Sequence, residues 1–296
     1  MNDDNGATDR ARIRSAFDAA AASYDDAAVL QREMGQRMLE RLDYIRLEPA
    51  RVVDVGAATG AITTGLRDRY RKARVVAFDL APGMLRRARE RGSWLRPLPV
   101  VCGDAESLPF ADGSVDLLFS NATFQWCERL DRLFEECQRV LRPGGLLMFS
   151  SFGPDTLREL RASWSDADGE RHVNDFVDMH DVGDALVRAG FADPVMDMEY
   201  FNLTYASVPE LLRDLRAMGA QTVRGGRAGG LTGRERFRRM SAAYERYRDS
   251  DGRLPATWEA VYGHAWATDH LPQRRDEGGA VAVSLDAFRR RLRESR

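Results

Sequence analysis

Three aspartates stand at the ends of three successive predicted strands: Asp54, Asp79 and Asp104. A Gly-rich corner, VGAATG at 55–60, comes directly after Asp54 and leads into a predicted helix. Because the carboxyl ends of parallel strands share one edge of a sheet, we expect the corner and the acids to surround one ligand. Asp79, about twenty residues beyond the corner, suits the two hydroxyls of a ribose. Asp104 suits the exocyclic amino group of a base.

The corner lacks the features of a phosphate-binding loop. A dinucleotide fingerprint needs GxGxxG, whereas the chain reads GAATG, with Ala58 where close approach needs a glycine. A Walker loop needs GK[ST], and the corner has no Lys. A ribose and a base without a diphosphate indicate S-adenosylmethionine (SAM). We expect Asp54 to orient the corner or to meet the methionyl ammonium through water.

The remaining contacts to SAM are expected from residues beside these strand ends. The corner presents backbone groups to the ligand, and the segment LPF at 108–110, after Asp104, supplies apolar surface for the base. The predicted cofactor-binding residues are Asp54, Gly56, Ala57, Gly60, Asp79, Leu80, Met84, Asp104, Ala105 and Asn121.

The pattern of the chain predicts an α/β fold that would position these residues. VVDVG at 52–56 is a Val-rich run, typical of a strand covered on both faces of a parallel sheet. Strands then alternate with helices of about ten residues, which predicts βαβ crossovers with helices on both sides. Two amphipathic helices, broken near 23–26, precede the first strand, and further helices and two strands follow Gly153. The predicted parts are an N-terminal helical lid segment (1–47), a Rossmann-like core (48–153), a lid insertion with the last strands (154–270) and a C-terminal tail (271–296).

Composition excludes several classes of protein. The chain has 296 residues, 44% of them hydrophobic, which is enough for a large core. Its net charge of −2 gives no general reason to expect binding to nucleic acid or to a membrane. The three cysteines have no CxxC spacing and the four histidines no metal-ligand spacing, so we expect no metal and interpret the histidines as structural or surface residues. The polar N-terminus does not resemble a signal peptide, which predicts a cytoplasmic protein.

The successive motifs of the core resemble those of class I SAM-dependent methyltransferases. The segments that carry this resemblance lie within 48–153: VVDVGAATGAIT, VVAFDLAPGMLRRAR, GDAESLPFADGSVDLLFSNATFQW and RVLRPGGLLMFSSFGPDTL. Ala58 stands where many members of this family have Gly. The resemblance implies a Rossmann-like sheet with SAM as cofactor.

The flanks resemble one subgroup of that family, the malonyl-[acyl carrier protein] O-methyltransferases of biotin synthesis. The similarity runs over about 10–267 and includes AFDAAAASYDDAAVLQREM before the core and HVNDFVDMHDVGDALVRAGFADPVMD after it. It implies methylation of the free carboxylate of malonyl on acyl carrier protein, so that fatty-acid enzymes can extend the chain toward pimeloyl. The same flanks are similar to a mitochondrial complex I assembly factor that hydroxylates an arginine. Another small-acid methyltransferase and a cofactor-binding assembly protein without turnover remain open.

Methyl transfer to a carboxylate requires orientation rather than a base, because the acid is already ionised at neutral pH. We expect Tyr24, at the break between the N-terminal helices, and Gln125 and Trp126, after the fourth strand, to face the methyl donor. An Arg should pair with the substrate carboxylate, and the candidates are Arg158, Arg213 and Arg216. The Arg-rich segment 224–240 is a candidate docking surface for an acidic carrier protein, although a solvated helix face explains it equally well.

Overall fold

A single mixed sheet forms the centre of the part of the chain that the structure, a computed structural model, describes: residues 3–220 and 233–269. Within that part the sheet has seven strands in the order β3-β2-β1-β4-β5-β7-β6. The strands are β1 (Arg51–Val55), β2 (Arg74–Asp79), β3 (Val100–Cys102), β4 (Val115–Ser120), β5 (Leu141–Phe152), β6 (Ala192–Tyr205) and β7 (Leu254–Trp266).

Helices cover both faces of this sheet. They are α1 (Asp3–Ala20), α2 (Tyr24–Ala27), α3 (Val29–Arg41), α4 (Ala61–Arg69), α5 (Pro82–Glu90), α6 (Leu130–Val140), α7 (Arg158–Asp168), α8 (Met179–Arg188), α9 (Val208–Ala217) and α10 (Arg234–Tyr244). The α/β class and the alternation predicted for the core are therefore confirmed. No helix in these described ranges is long and apolar enough to cross a lipid bilayer.

The central strands are apolar throughout because each face packs against helices. Leu117 and Phe119 of β4 pack with Met34 and Met38 of α3 in one cluster. Leu118, between them, faces the opposite side, where it joins the cluster that contains α6 and α8. Adjacent residues of a strand point to opposite faces, so a strand covered on both sides has no polar face.

The last two strands run differently from the core. β7 lies between β5 and β6 and is antiparallel to both. The helices that extend beyond the core come from two places, since α7 follows β5 whereas α9 and α10 lie between β6 and β7. α7 packs against α10. The predicted insertion after the fifth strand is thus completed by a second helical segment later in the chain, and the predicted tail 271–296 lies outside the described residues.

β5 begins four residues earlier than the run GLLMFSSFG at 145–153 indicates. Its first residue, Leu141, pairs with Val115, and a register shift follows before Leu146 pairs with Leu117. The segment RPGG at 142–145, whose composition predicts the end of a helix, therefore lies inside β5, after α6 has ended at Val140. A local stop signal for a helix does not reveal this pairing, because the partner strand lies more than twenty residues away in sequence.

Candidate active site

A cleft of about 740 Å³ opens at the carboxyl ends of β1, β2, β3 and β4. We call it the sheet-edge cleft. It brings together predicted cofactor residues from four separate parts of the chain: Gly56, Asp79, Leu80, Asp104, Ala105 and Asn121. α1 covers one side of it with Arg10, Ile13 and Phe17.

The corner after β1 turns sharply at the rim of this cleft. Gly56 has φ +74° and Gly60 has φ +80°, and Ala58 between them has φ +47°. This left-handed region is unfavourable for residues with a Cβ, so Ala58 holds a strained backbone. A Cβ on Gly56 would overlap the side chain of Thr123. The glycine at 56 is therefore required by both its conformation and the space around it.

Asp79 connects the corner to the end of β2. Its Oδ2 accepts a hydrogen bond of 2.9 Å from the backbone N–H of Ala58, and its Oδ1 accepts one of 2.8 Å from the N–H of Ala81. Burial raises the pKa of Asp79 to about 6, and the backbone hydrogen bonds oppose this shift. Each carboxylate oxygen retains a second acceptor position, so Asp79 can also accept from a ribose diol in the cleft.

Asp54 is 2% exposed and belongs to a second cleft of about 460 Å³ on the other side of the corner, the corner cleft. Its Oδ2 accepts a hydrogen bond of 2.5 Å from Thr63 Oγ1 of α4. Burial raises the pKa of Asp54 to about 7. The lining of the corner cleft includes Tyr24, Gln31, Arg32, Asp54, Gly56, Ala57 and Asn121.

Asp104 and α1 are joined by an ionic cluster that the sequence did not indicate. Arg10 Nη1 lies 3.0 Å from Asp104 Oδ2, and Arg10 Nη2 lies 3.1 Å from Glu106 Oε2. Glu106 is 2% exposed and accepts further hydrogen bonds from the backbone N–H groups of Glu128 and Arg129. The cluster fixes α1 over the sheet-edge cleft, with Asp104 at the cleft wall.

A third cleft of about 660 Å³, the lid cleft, adjoins the sheet-edge cleft through Phe17, Tyr24, Ala122 and Trp126. Gln125 also lines it. Its other walls come from the end of β5, α7, α9, β7 and the loop before α8, and they include Leu157, Leu160, Leu215, Met218, Trp258, Phe152, Phe176 and His172.

Tyr24 lies where the three clefts meet, and of the described residues it is the only one that lines all of them. Burial raises the pKa of its phenol well above the ordinary value, and Asp79 and Asp25 raise it further. Trp126 lines two of the clefts, and its ring meets Phe17 edge to face at 5.4 Å. The structure thus brings the predicted residues Tyr24, Gln125 and Trp126 together at one junction.

Two predicted cofactor residues lie away from these three clefts. Met84 is fully buried in a small apolar cluster with Ala20 and Ala81, beneath the N-terminal helices. Gly60 forms the left-handed start of α4, where a Cβ would come within 3.0 Å of Ala88. Both residues support the corner by packing beneath it, and neither belongs to the surface of the three clefts.

The three predicted carboxylate-binding arginines do not line the lid cleft. Arg158 is 56% exposed and lies near Asp155 and Glu159, at 3.5 and 3.4 Å. Arg213 and Arg216 are exposed on α9, whose apolar face, with Leu211 and Leu215, is buried. The helical period places both arginines on the solvent-exposed face of α9, opposite its buried apolar residues.

The Arg-rich segment is only partly described. Residues 224–232 lie outside the described residues, whereas 233–240 start α10. Arg238 pairs with Glu235 at 3.0 Å, and Arg236 lies 3.8 Å from Asp168. Within the described ranges, no group of three His, Cys, Asp or Glu side chains is arranged to hold a metal ion.

The lining of the sheet-edge and corner clefts fits SAM. Asp79 offers acceptors to a diol, Leu80 and Ala105 offer apolar walls to a base, and the backbone of Gly56 forms part of the cleft wall. Arg32, which the sequence search missed, adds a cation to the corner cleft, where it suits the methionyl carboxylate. Arg10, Phe17 and Arg32 lie on the N-terminal helices, and no motif spacing connects them to the core.

Comparison with known proteins is consistent with this geometry. A methyltransferase domain model matches residues 53–149. A solved Haloferax volcanii complex of the Trm112 methyltransferase activator and a putative methyltransferase is similar in fold, with a TM-score of 0.54 and 22% identity over 87% of this chain and 98% of that one. A Haemonchus contortus phosphoethanolamine N-methyltransferase 2 in complex with SAM has a TM-score of 0.53 and 18% identity over 85% of this chain and 57% of that one. These likenesses show the fold.

Curated relatives are much closer in sequence. The malonyl-[acyl-carrier protein] O-methyltransferase of Halorhodospira halophila is 50% identical over 96% of this chain and 97% of its own length. That of Laribacter hongkongensis is 52% identical over 94% of this chain and 96% of its own length. Identity at this level, over nearly the whole of both chains, shows that the chain belongs to the malonyl-[acyl-carrier protein] O-methyltransferase family.

Proposed function

We propose that this protein is a SAM-dependent carboxyl O-methyltransferase, which esterifies the free carboxylate of malonyl carried on acyl carrier protein. The observation that carries the proposal is the meeting of three clefts at Tyr24. Two of the clefts suit the two ends of SAM, and the third, with largely apolar walls, suits an acyl chain. The names of the relatives supply the acyl group and its carrier.

The cofactor residues have separate tasks in this proposal. Asp79 accepts hydrogen bonds from the ribose hydroxyls, and Asp104, held by Arg10, faces the base. Leu80 and Ala105 cover the base, whereas Ala57, Asn121 and Asp54 surround the methionyl end.

SAM, when bound, supplies a methyl group on a positively charged sulfur. An oxygen nucleophile can attack this methyl carbon, with the sulfur as leaving group, and no proton transfer is needed. The chain must therefore hold the acceptor in line and exclude water. Tyr24, Phe17 and Trp126 form the wall between donor and acceptor clefts. No Asp or Glu among the described residues lines the lid cleft, which agrees with an acceptor that needs no general base.

The N-terminal helices and the helices α7 and α9 act as lids in this proposal. α1 and α2 cover SAM, and the carrier delivers malonyl into the lid cleft on its flexible arm. The resulting ester has lost the charge of the malonyl carboxylate, as the pimeloyl route to biotin would require.

The test is transfer from methyl-labelled SAM to malonyl-[acyl carrier protein]. We expect a carrier-bound label that mild base releases as volatile methanol, and no label on acetyl-[acyl carrier protein], which lacks the second carboxyl group. Label on an arginine of another protein, or no transfer to any acyl carrier, would contradict the proposal and favour a hydroxylase-like or non-catalytic relative. Malonyl-coenzyme A in parallel measures how much the carrier protein contributes.

A further inference from the structure

His172 lies in the loop between α7 and α8 and lines the lid cleft. Its side chain is 13% exposed. Nε2 lies 3.0 and 3.2 Å from the two carboxylate oxygens of Asp168, and the ring stacks on Trp164 at 3.7 Å with an interplanar angle of 17°. A histidine held by both an acid and an aromatic plane has a fixed ring orientation. These contacts fit the interpretation of His172 as a structural residue, and its place in the lining of the lid cleft adds the possibility of contact with a substrate.

The lid cleft holds no other side chain, among the described residues, that can carry a positive charge. Its lining contains no Arg or Lys, and the arginines expected to bind the substrate point elsewhere. Among the described residues of the lining, His172 is therefore the one side chain that can give a malonyl carboxylate a charged partner, and a buried charge without a partner is strongly unfavourable. The acidic partner of His172, Asp168, is 5% exposed. Burial raises its pKa, but the backbone N–H of Glu170, the side chain of His172 and the nearby Arg236 lower it by more.

Three residues of the lid-cleft lining carry a buried polar atom that has no partner among the described residues. Trp258 is 2% exposed, and its Nε1–H has no acceptor among the described residues. The Oε1 atoms of Gln31 and Gln125 likewise have no donor there. All three residues line the lid cleft. Buried polar atoms of this kind usually have partners. A carboxylate in the cleft can accept from Trp258 Nε1–H, whereas the two Gln oxygens can only accept and need a donor from another part of the ligand.

We propose that His172 recognises the free carboxylate of the acyl substrate, with Asp168 as the residue that positions it. Nε2–H donates to Asp168, and Nδ1–H donates to one oxygen of the substrate carboxylate. The other oxygen is left free to meet the methyl group at the Tyr24 junction. This inference rests on the proposed function and adds to it the residue that selects acids over neutral acyl groups.

The same contact favours release of the product. Methyl transfer forms an O–CH₃ bond and breaks the S–CH₃ bond, whose electron pair stays on sulfur, so the acyl group becomes neutral. The charge-assisted hydrogen bond to His172 is then lost, and the ester binds less tightly than the acid. The enzyme would therefore prefer its substrate to its product in equilibrium binding.

The experiment compares the affinities of malonyl-pantetheine and its methyl ester for the full-length protein in the presence of S-adenosylhomocysteine. We expect the wild-type protein to prefer the acid by about 10- to 100-fold, the range of one charge-assisted hydrogen bond. His172→Gln should abolish this preference and lower kcat/KM for malonyl-[acyl carrier protein] by a similar factor, with SAM affinity unchanged. Asp168→Asn should weaken the preference partly.

His180→Gln is the matched control. His180 also pairs with an aspartate, Asp178, at 2.8 Å, but its side chain is 85% exposed and does not line the lid cleft. The control should keep the wild-type preference. His172→Phe retains the aromatic stack on Trp164 and removes both N–H groups, so it gives the same test if His172→Gln is poorly folded.

The outcomes separate this inference from the proposed function. If the wild-type protein methylates malonyl-[acyl carrier protein] and the His172 variants keep the preference for the acid, this inference alone is overturned. If the wild-type protein transfers no methyl group to malonyl carriers, the proposed function fails and the inference fails with it.

Discussion

The carboxylate of Asp79 accepts a 2.9 Å hydrogen bond from the backbone N–H of Ala58. This bond joins the end of β2 to the turn that follows β1, and the second oxygen of Asp79 binds the N–H of Ala81 at the start of α5. One side chain thus holds the backbone of two adjacent strand ends in a fixed relation. The strained corner and the acceptor expected to bind ribose are parts of the same structure.

Gly56→Ala should destabilise the protein more than Gly144→Ala does. Both glycines have nearly the same left-handed φ, +74° and +72°, so each change costs about 1–2 kcal/mol in conformation. A Cβ at position 56 overlaps the side chain of Thr123, whereas a Cβ at position 144 has no atom of the described residues within 4 Å. Urea unfolding measures the difference, and calorimetry should show loss of SAM binding in Gly56→Ala alone. Adding Thr123→Ala should recover part of the stability; equal losses for the two glycines would rule out a role for the overlap.

The pKa of Asp54, which burial raises to about 7, predicts how stability depends on pH. A raised carboxyl pKa means that the folded state binds this proton more tightly than the unfolded chain does. The stabilisation of the folded state by this proton is therefore fully present below the unfolded pKa near 4, and it is lost as the pH rises toward 7. The Asp54→Asn variant has no proton to release at this position. Its free energy of unfolding, relative to that of the wild-type protein, should therefore rise by about 2–3 kcal/mol between pH 5 and pH 8.

Urea unfolding of both proteins at pH 5 and pH 8 measures this gain. Because other groups titrate in both proteins, the difference between them isolates Asp54. A gap that is the same at the two pH values would show that Asp54 is ionised in the folded protein throughout this range.

Arg10→Gln should weaken SAM binding, because Arg10 fixes α1 to Asp104 and Glu106 over the sheet-edge cleft. Loss of about 1 kcal/mol of charge-assisted contact corresponds to roughly a fivefold rise in the Kd. Arg12→Gln, on the same helix but 56% exposed, is the control and should bind SAM as the wild-type protein does. Calorimetric titration with SAM checks both variants, and equal affinities would show that the cluster has no influence on the cofactor.

Tyr24→Phe should lower kcat by about tenfold with little change in SAM affinity, through loss of one hydrogen bond at the junction of the clefts. The raised pKa of Tyr24 keeps its hydroxyl protonated at neutral pH, so the residue donates a hydrogen bond and does not act as a base. Tyr44→Phe is the control, because Tyr44 is 90% exposed. Steady-state rates with malonyl-[acyl carrier protein] measure the effect, and a Tyr24→Phe enzyme with full kcat would exclude a contribution from the hydroxyl.

Much of the cofactor region could be predicted because its signals are local. The Val-rich run before Asp54 and the later strand before Asp79 are apolar at consecutive positions, and this pattern marks buried parallel strands. Parallel strands end at one edge, so Asp79 and Asp104 had to approach each other, and both line the sheet-edge cleft. Asp54 lines the corner cleft instead, where the hydroxyl of Thr63 in α4 donates a hydrogen bond to it.

The acceptor side could not be predicted in the same way. Arg213 is near the lid in sequence, but the period of α9 places it on the exposed face. His172 and Trp258 lie more than eighty residues apart and meet in one cleft only because β7 returns to the sheet beside β5. No local pattern records that return.

The amino-acid sequence by itself determined the order of strands and helices, the glycine corner and the acids at the strand ends, since each depends on periodicity or on backbone conformation over a few residues. The tertiary structure alone decided that α1 contributes Arg10 to the cofactor cleft and that His172 enters the acceptor cleft. Contacts between distant segments depend on how whole helices pack, and packing is set by the shape of the complete core.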